Sequence, residues 1–216
     1  MKRALIARLA LAAGLVTVAA PAGAQTAPAD RGYVQGIAES AFGNVTSQSF
    51  GAEIGVTVRR DLQVFGSFGN VRDVATADIS SAAATVAGAL TQVQSAAVSY
   101  SVKEPVTFFV GGLRYRIATA SRLKPYLAGG AGVASVKKDV KFLLGGADAT
   151  SSLSQFVTLG SDISGDESKL MFTLGGGVVY PVWQQMIIDL HYQYGRISTD
   201  SAITVNRAGV GVGVRF

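Results

Sequence analysis

From Gly32 onward, apolar side chains recur at every second position in a series of short segments, and none is a continuous apolar run long enough for a membrane-spanning helix. Alternation of period two marks strands with one apolar face and one polar face. Eight segments carry it: Gly32–Ala41, Phe50–Val58, Leu62–Asn70, Val106–Ile117, Leu123–Val136, Leu170–Tyr180, Met186–Ile197 and Ile203–Phe216. Most approach the roughly 9–11 residues that a tilted strand needs to cross a hydrocarbon layer. Such strands either wrap their apolar faces around a dry core or turn them outward to lipid. The side on which the large rings and the charges sit decides between the two.

The assigned apolar face carries Phe50, Phe68, Phe109, Phe172 and Tyr194 toward one end of the strands. It carries Tyr115, Tyr180 and Phe216 toward the other, with Trp183 in a turn. Two belts of outward rings are what the two interfaces of a bilayer select. The opposite face carries Glu53, Thr57, Gln63, Ser67, Arg114, Arg116, Asp189, His191 and Gln193, and in the last segment Arg207, Gly209, Gly211, Gly213 and Arg215. The first segment fits least well, because Glu39 inward forces Ile37 inward too. Short connections (Arg59–Asp61, Ala118–Arg122, Pro181–Gln185) alternate with longer ones, as in outer-membrane barrels with periplasmic turns. The sequence therefore predicts an all-β fold, an eight-stranded antiparallel up-and-down transmembrane β-barrel.

The N-terminus reads as a secretory leader over residues 1–24. Lys2, Arg3 and Arg8 precede an apolar stretch from Leu9 to Ala20, and Ala22, Gly23 and Ala24 offer small-residue cleavage before Gln25. The barrel is then expected over residues 25–216, exported to the cell outer membrane. The net charge of +5 owes three of its 19 basic residues to the leader, which holds none of the 14 acidic ones. It is no argument for nucleic acid, since no basic stripe with interleaved aromatics follows. With no cysteine in the chain, disulfides cannot hold the exported fold, whereas a closed barrel pairs every strand on both edges.

Ala208, Val210, Val212, Val214 and Phe216 alternate with Gly and Arg up to the terminal ring. This resembles the C-terminal assembly signal of outer-membrane barrels. The stretches Lys124-Pro125-Tyr126-Leu127-Ala128-Gly129-Gly130-Ala131-Gly132 and Asp189-Leu190-His191-Tyr192-Gln193-Tyr194-Gly195 are similar to small barrels of the OmpA/OmpX-like outer membrane protein beta-barrel family. The resemblance implies a barrel; no peptidoglycan-binding domain is expected, because the chain ends with the last barrel strand. It further implies outer-membrane lipids and the barrel assembly machinery as partners, and Phe216 as the assembly signal. A monomer is expected, with no cofactor and no nucleic acid; an extracellular partner is not named by the sequence.

No catalytic motif stands out. His191, the only histidine, lies between Asp189 and Gln193 on the inward face. It could be a general base oriented by Asp189, but i and i+2 on one strand are neighbours in any case. Lipid A deacylases resemble this architecture and use a His, a Ser and a carboxylate, with the nucleophile facing lipid; here His191 faces inward and no Ser sits two positions away. Glu39, Glu53, Arg114, Asp189, His191, Gln193 and Arg207 are expected to form a polar network in the lumen, a plug rather than a selectivity ring, because eight strands leave room only for side chains and unpaired buried charge is costly. Asp148, Asp162, Asp166 and Glu167 lack the spacing of a calcium loop, and the Gly129–Gly132 and Gly175–Gly177 stretches are strand interiors, not phosphate loops.

Two long loops are expected, about 71–105 and 137–169. In the first, Ile79, Ala83, Val86, Leu90 and Val93 fit one face of a helix; an alternative extends strands through Val98–Val102. The second carries an apolar patch at Phe142, Leu143 and Leu144, with a mobile, polar remainder. The function expected is non-enzymatic, the loops serving surface interaction or envelope integrity. The rivals are a narrow porin-like channel for ions or small solutes and a lipid-modifying enzyme.

Overall fold

The computed structural model describes residues 31–94, 98–145, 147–150, 164–199 and 202–216. The expected leader and its cleavage site lie outside the described residues. In chain order the elements are β1 (Gly32–Phe42), β2 (Ser47–Arg59), β3 (Leu62–Val71), α1 (Ala77–Gln94), β4 (Val98–Lys103), β5 (Val106–Arg116), β6 (Lys124–Leu144), β7 (Ala147–Asp148), β8 (Ser164–Pro181), β9 (Met186–Ile197) and β10 (Ile203–Arg215).

Eight of these strands form a closed antiparallel barrel. The ladder runs β5-β3-β2-β1-β10-β9-β8, and β6 pairs with both β5 and β8 to shut the ring. All eight segments read from the alternation are barrel strands. Where β1 pairs with β10, the Phe216 carbonyl accepts from the amides of Arg31 and Gly32. Along β9 and β10, Gln193 lies opposite Arg207, His191 opposite Gly209 and Asp189 opposite Gly211.

The outer surface is apolar. Phe50, Phe68, Phe109 and Phe172 are at least half exposed at one level, and Tyr115 and Phe216 at the other, with Trp183 71% exposed in the turn between β8 and β9. Leu113, Leu127, Leu174 and Leu190 are exposed on the outer wall. In water so much contiguous apolar surface would drive association; facing lipid, it is at home.

Strands β6 and β8 continue past the ends expected at Val136 and Leu170. Their pairing persists to Asp139 opposite Ser164, so residues 137–144 and 164–169 are strand, not loop; 151–163 lie outside the described residues. On the other edge of β6, β4 and β5 form one interrupted strand: Lys103 pairs Asp139, and pairing resumes at Val106 opposite Val136. The break falls at Pro105, which has no N–H to give a ladder. The first long segment thus contains both a helix and a strand extension, which the sequence offered as alternatives. Thr76 begins α1, its Oγ1 accepting from the Ile79 amide at 3.5 Å, and Asp78 adds negative charge to the first turn. Ile79, Ala83, Ala87 and Leu90 then face Val140 and Phe142 of β6 in a small core of their own. The apolar patch at Phe142 is where the helix is seated.

Candidate functional site

The barrel interior holds three layers of side chains. Nearest the short turns, Glu53 on β2 accepts from Arg114 Nη2, from Tyr33 Oη at 2.8 Å and from Gln35 Nε2 at 3.1 Å. Asp189 on β9 accepts from Tyr126 Oη at 2.9 Å and from Gln35 Nε2 at 3.1 Å, and stands 3.5 Å from Arg114 Nη2. The Arg114 guanidinium lies between two rings, 4.6 Å from the centroid of Tyr33 and 3.9 Å from that of Tyr126. One arginine on β5 therefore joins carboxylates from both sides of the barrel, and the rings keep water from it.

In the middle layer Glu39 takes the bonds. Its Oε2 accepts from Arg207 Nη1 at 3.0 Å and Ser49 Oγ at 2.8 Å, and its Oε1 stands 3.0 Å from His191 Nε2. Arg207 Nη2 donates to Gln193 at 2.6 Å, and the guanidinium covers the Phe108 ring at 4.4 Å. His191 Nδ1 is 3.9 Å from Asp189, beyond hydrogen-bond reach. The imidazole is thus oriented by Glu39 from the far side of β10, not by Asp189 two positions away on its own strand as a general-base reading would have it.

The third layer, toward the long loops, is apolar, where the alternation predicts a polar or small inner face on every strand but the first, whose Ile37 it turns inward. Phe108, Met171, Ile197, Ile203 and Val205 fill it together with Val74 from the segment before α1. Two carboxylates hold that segment in the mouth. Asp73 accepts from the amides of Ala75 and Glu104, and Glu104 accepts from the Thr76 amide at 2.7 Å. The Val74 amide donates to the Glu104 carbonyl at 3.0 Å. Burial pushes the Glu104 carboxyl above its ordinary pKa, while the Thr76 bonds and Lys138 pull it down.

The residues singled out by sequence thus fall into two clusters: Arg114, Glu53 and Asp189 in one, and Arg207, Glu39, His191 and Gln193 in the other. The sequence missed Tyr33, Gln35, Ser49 and Tyr126, which complete the bonding. Parity along each strand was the signal that could have placed them, since all share the inward phase of Glu39, Glu53 or Ala128. Of the acidic residues considered for calcium, Asp148 accepts from Thr150, Glu167 is engaged by Lys138 and Lys169, and Asp162 lies outside the described residues.

The model of the outer membrane protein beta-barrel domain matches residues 9–216 of this chain. The chain belongs to that family. The family places the barrel in the outer membrane, as the two aromatic belts require. Among solved structures it is similar to Neisserial surface protein A, with 18% identity, a TM-score of 0.56 and coverage of 86% of this chain and 97% of that one. It is also similar to the N-terminal barrel domain of OprF from Pseudomonas aeruginosa, at 16% identity and TM-score 0.51, covering 86% and 96%. At these identities the likeness is one of fold. Comparison with curated proteins yields no match.

Proposed function

We propose that this outer-membrane barrel is non-enzymatic and closed to solutes. It works through what it presents beyond the long-loop rim, in surface interaction or envelope integrity. The observation that carries this reading is the filled lumen: two ion-paired layers and an apolar layer, the last stoppered by Val74. Among the described residues, the bonded side chains of these layers occupy an interior that eight strands leave just wide enough for side chains. Above the stopper, α1 and the β4–β6 extension form an ordered platform on the side that outer-membrane barrels turn to the outside.

The middle layer contains a hydroxyl, an imidazole and a carboxylate, the constituents of an acyl-transfer triad. Their order argues against catalysis. Glu39 sits between Ser49 and His191, so the imidazole cannot take the hydroxyl proton. Ser49 is fully buried and His191 8% exposed, so neither is open to a lipid substrate.

Purified protein in planar bilayers is expected to give no discrete conductance steps above the lipid background, and its expression is expected to leave the lipid A mass spectrum unchanged. Stable unitary currents would establish the channel reading instead, and a new lipid A species the enzymatic one. Phe216, 59% exposed on the outer face, is proposed as the contact for the assembly machinery. Phe216→Ala should lower the yield of folded barrel in cells while leaving refolding in detergent intact; equal cellular yield would refute that role.

A further inference from the structure

Two neighbouring short turns carry four exposed cations. Arg59 ends β2 and Arg60 follows it, while Arg122 and Lys124 bracket Leu123 at the start of β6. The turns are adjacent because β3 pairs with β5, Leu62 opposite Tyr115. The Arg116 amide donates to the Asp61 carbonyl at 2.7 Å and ties one turn to the other. Asp61 is the one carboxylate side chain on the two turns. Four cations against one carboxylate leave an excess of three positive charges, and neither Arg116 nor Arg215 enters it.

The apolar residues beside these cations set their depth. Val58 and Leu123 are each more than half exposed on the outer wall, as is Tyr115 of the aromatic belt on β5. Arg59, Arg122 and Lys124 each stand one residue from Val58 or Leu123. A strand advances about 3.3 Å per residue, and the headgroup layer is about 5–7 Å deep on each side of the hydrocarbon. The cations thus lie at headgroup depth. At the other rim, cations come with carboxylates: Lys138 and Lys169 engage Glu167, and Lys103 and Lys137 stand opposite Asp139 and Asp166 in register.

We propose that the two basic turns dock anionic headgroups of the phospholipids in the leaflet they face. An acidic protein is the rival partner, but Val58 and Leu123 hold the charges at the membrane surface. There the attraction to anionic lipid is strongest, and it decays within a Debye length. Guanidinium forks match the oxygens of a phosphodiester, and Lys124 adds a point charge. Short turns are periplasmic in outer-membrane barrels, so the leaflet is the inner one. This docking holds whether or not the lumen is closed.

The test uses the refolded barrel in phosphatidylcholine vesicles that carry a trace of spin-labelled phosphatidylglycerol or spin-labelled phosphatidylcholine. Electron spin resonance reads the fraction of each label held against the protein. At low ionic strength phosphatidylglycerol is expected to associate about threefold more strongly than phosphatidylcholine, and high salt should remove the difference. Making Arg59→Gln, Arg60→Gln, Arg122→Gln and Lys124→Gln together should bring the ratio to about one. The matched variant at the other rim, Lys103→Gln, Lys137→Gln, Lys141→Gln and Arg196→Gln, should keep it. Heat-modifiable migration on gels verifies that each variant is folded. A ratio of one in the unaltered protein, or an equal fall in both variants, overturns the proposal. So does capture of polyglutamate without any lipid preference, which would assign the patch to an acidic protein.

Discussion

Arg114→Ala is expected to cost the barrel about 3–5 kcal/mol, the usual penalty for removing one partner of a buried ion pair. The variant strips the cation from between Glu53 and Asp189, which are 2% and 0% exposed. Both carboxylates keep neutral donors in Tyr33, Gln35 and Tyr126, but those donors leave two negative charges facing one another in a medium that solvates them poorly. The ring contacts on either face of the guanidinium go as well. Equilibrium urea unfolding in lipid vesicles measures the effect. Arg59→Ala, at an exposed strand end, should change stability by less than about 0.5 kcal/mol. Combining Arg114→Leu with Glu53→Gln and Asp189→Asn should recover much of the loss, because a pair removed together leaves no orphaned charge. A loss for Arg114→Ala no larger than for Arg59→Ala would mean that the lumen is wet enough to screen its charges, and the closed reading would fall with it.

The second large effect concerns space rather than charge. Gly209 pairs with Glu39 on one side and His191 on the other. A Cβ added there would lie 2.3 Å from the Ala38 carbonyl oxygen and 2.7 Å from Cα and Cγ of Glu39. Neither can yield easily, since the carbonyl belongs to the neighbouring strand and Glu39 is held by Arg207, Ser49 and His191. Overpacking a core costs about 1–3 kcal/mol where side chains can adjust. Gly209→Val should exceed that range and deplete the folded band on unheated gels. Gly36→Ala is the matched control, because a Cβ at Gly36 meets nothing within 4 Å. Equal unfolding midpoints for the two variants would show that the middle layer is looser than its bonds imply.

Taken together, the two variants separate the roles of the lumen residues. Arg114 supplies charge balance between strands far apart in the chain. Gly209 supplies the room in which Glu39 and His191 meet. Glycine inside a strand is a weakness unless a close approach needs it, and here two large polar side chains do.

Period-two alternation is a local property, and it was enough to place all eight barrel strands and to turn the correct face outward. Phe50, Phe68, Phe109 and Phe172 needed no partner to be recognised, because lipid contact asks only that a side chain be apolar and point out. The β9–β10 hairpin was also legible, since its register follows from a short connection and from keeping Arg207 opposite Gln193. What depended on closure was not legible. Which carboxylate meets Arg114 is set by strands β2 and β9 arriving at one height from opposite sides of the ring, and His191 finds Glu39, far away in sequence, in preference to Asp189 next to it. The apolar upper lumen was hidden because Val106, Phe108 and Val110 share a strand with Phe109, so both faces are apolar there and the alternation fades. Pro105 broke one long strand into two, and Phe142 looked like a loop patch until α1 lay on it. The sequence by itself thus determined the strands and which face of each turns to lipid, through rules acting within a few residues. Only the closed ring decided the partners in the lumen, because distance across a barrel depends on strand number and stagger, which no single strand encodes.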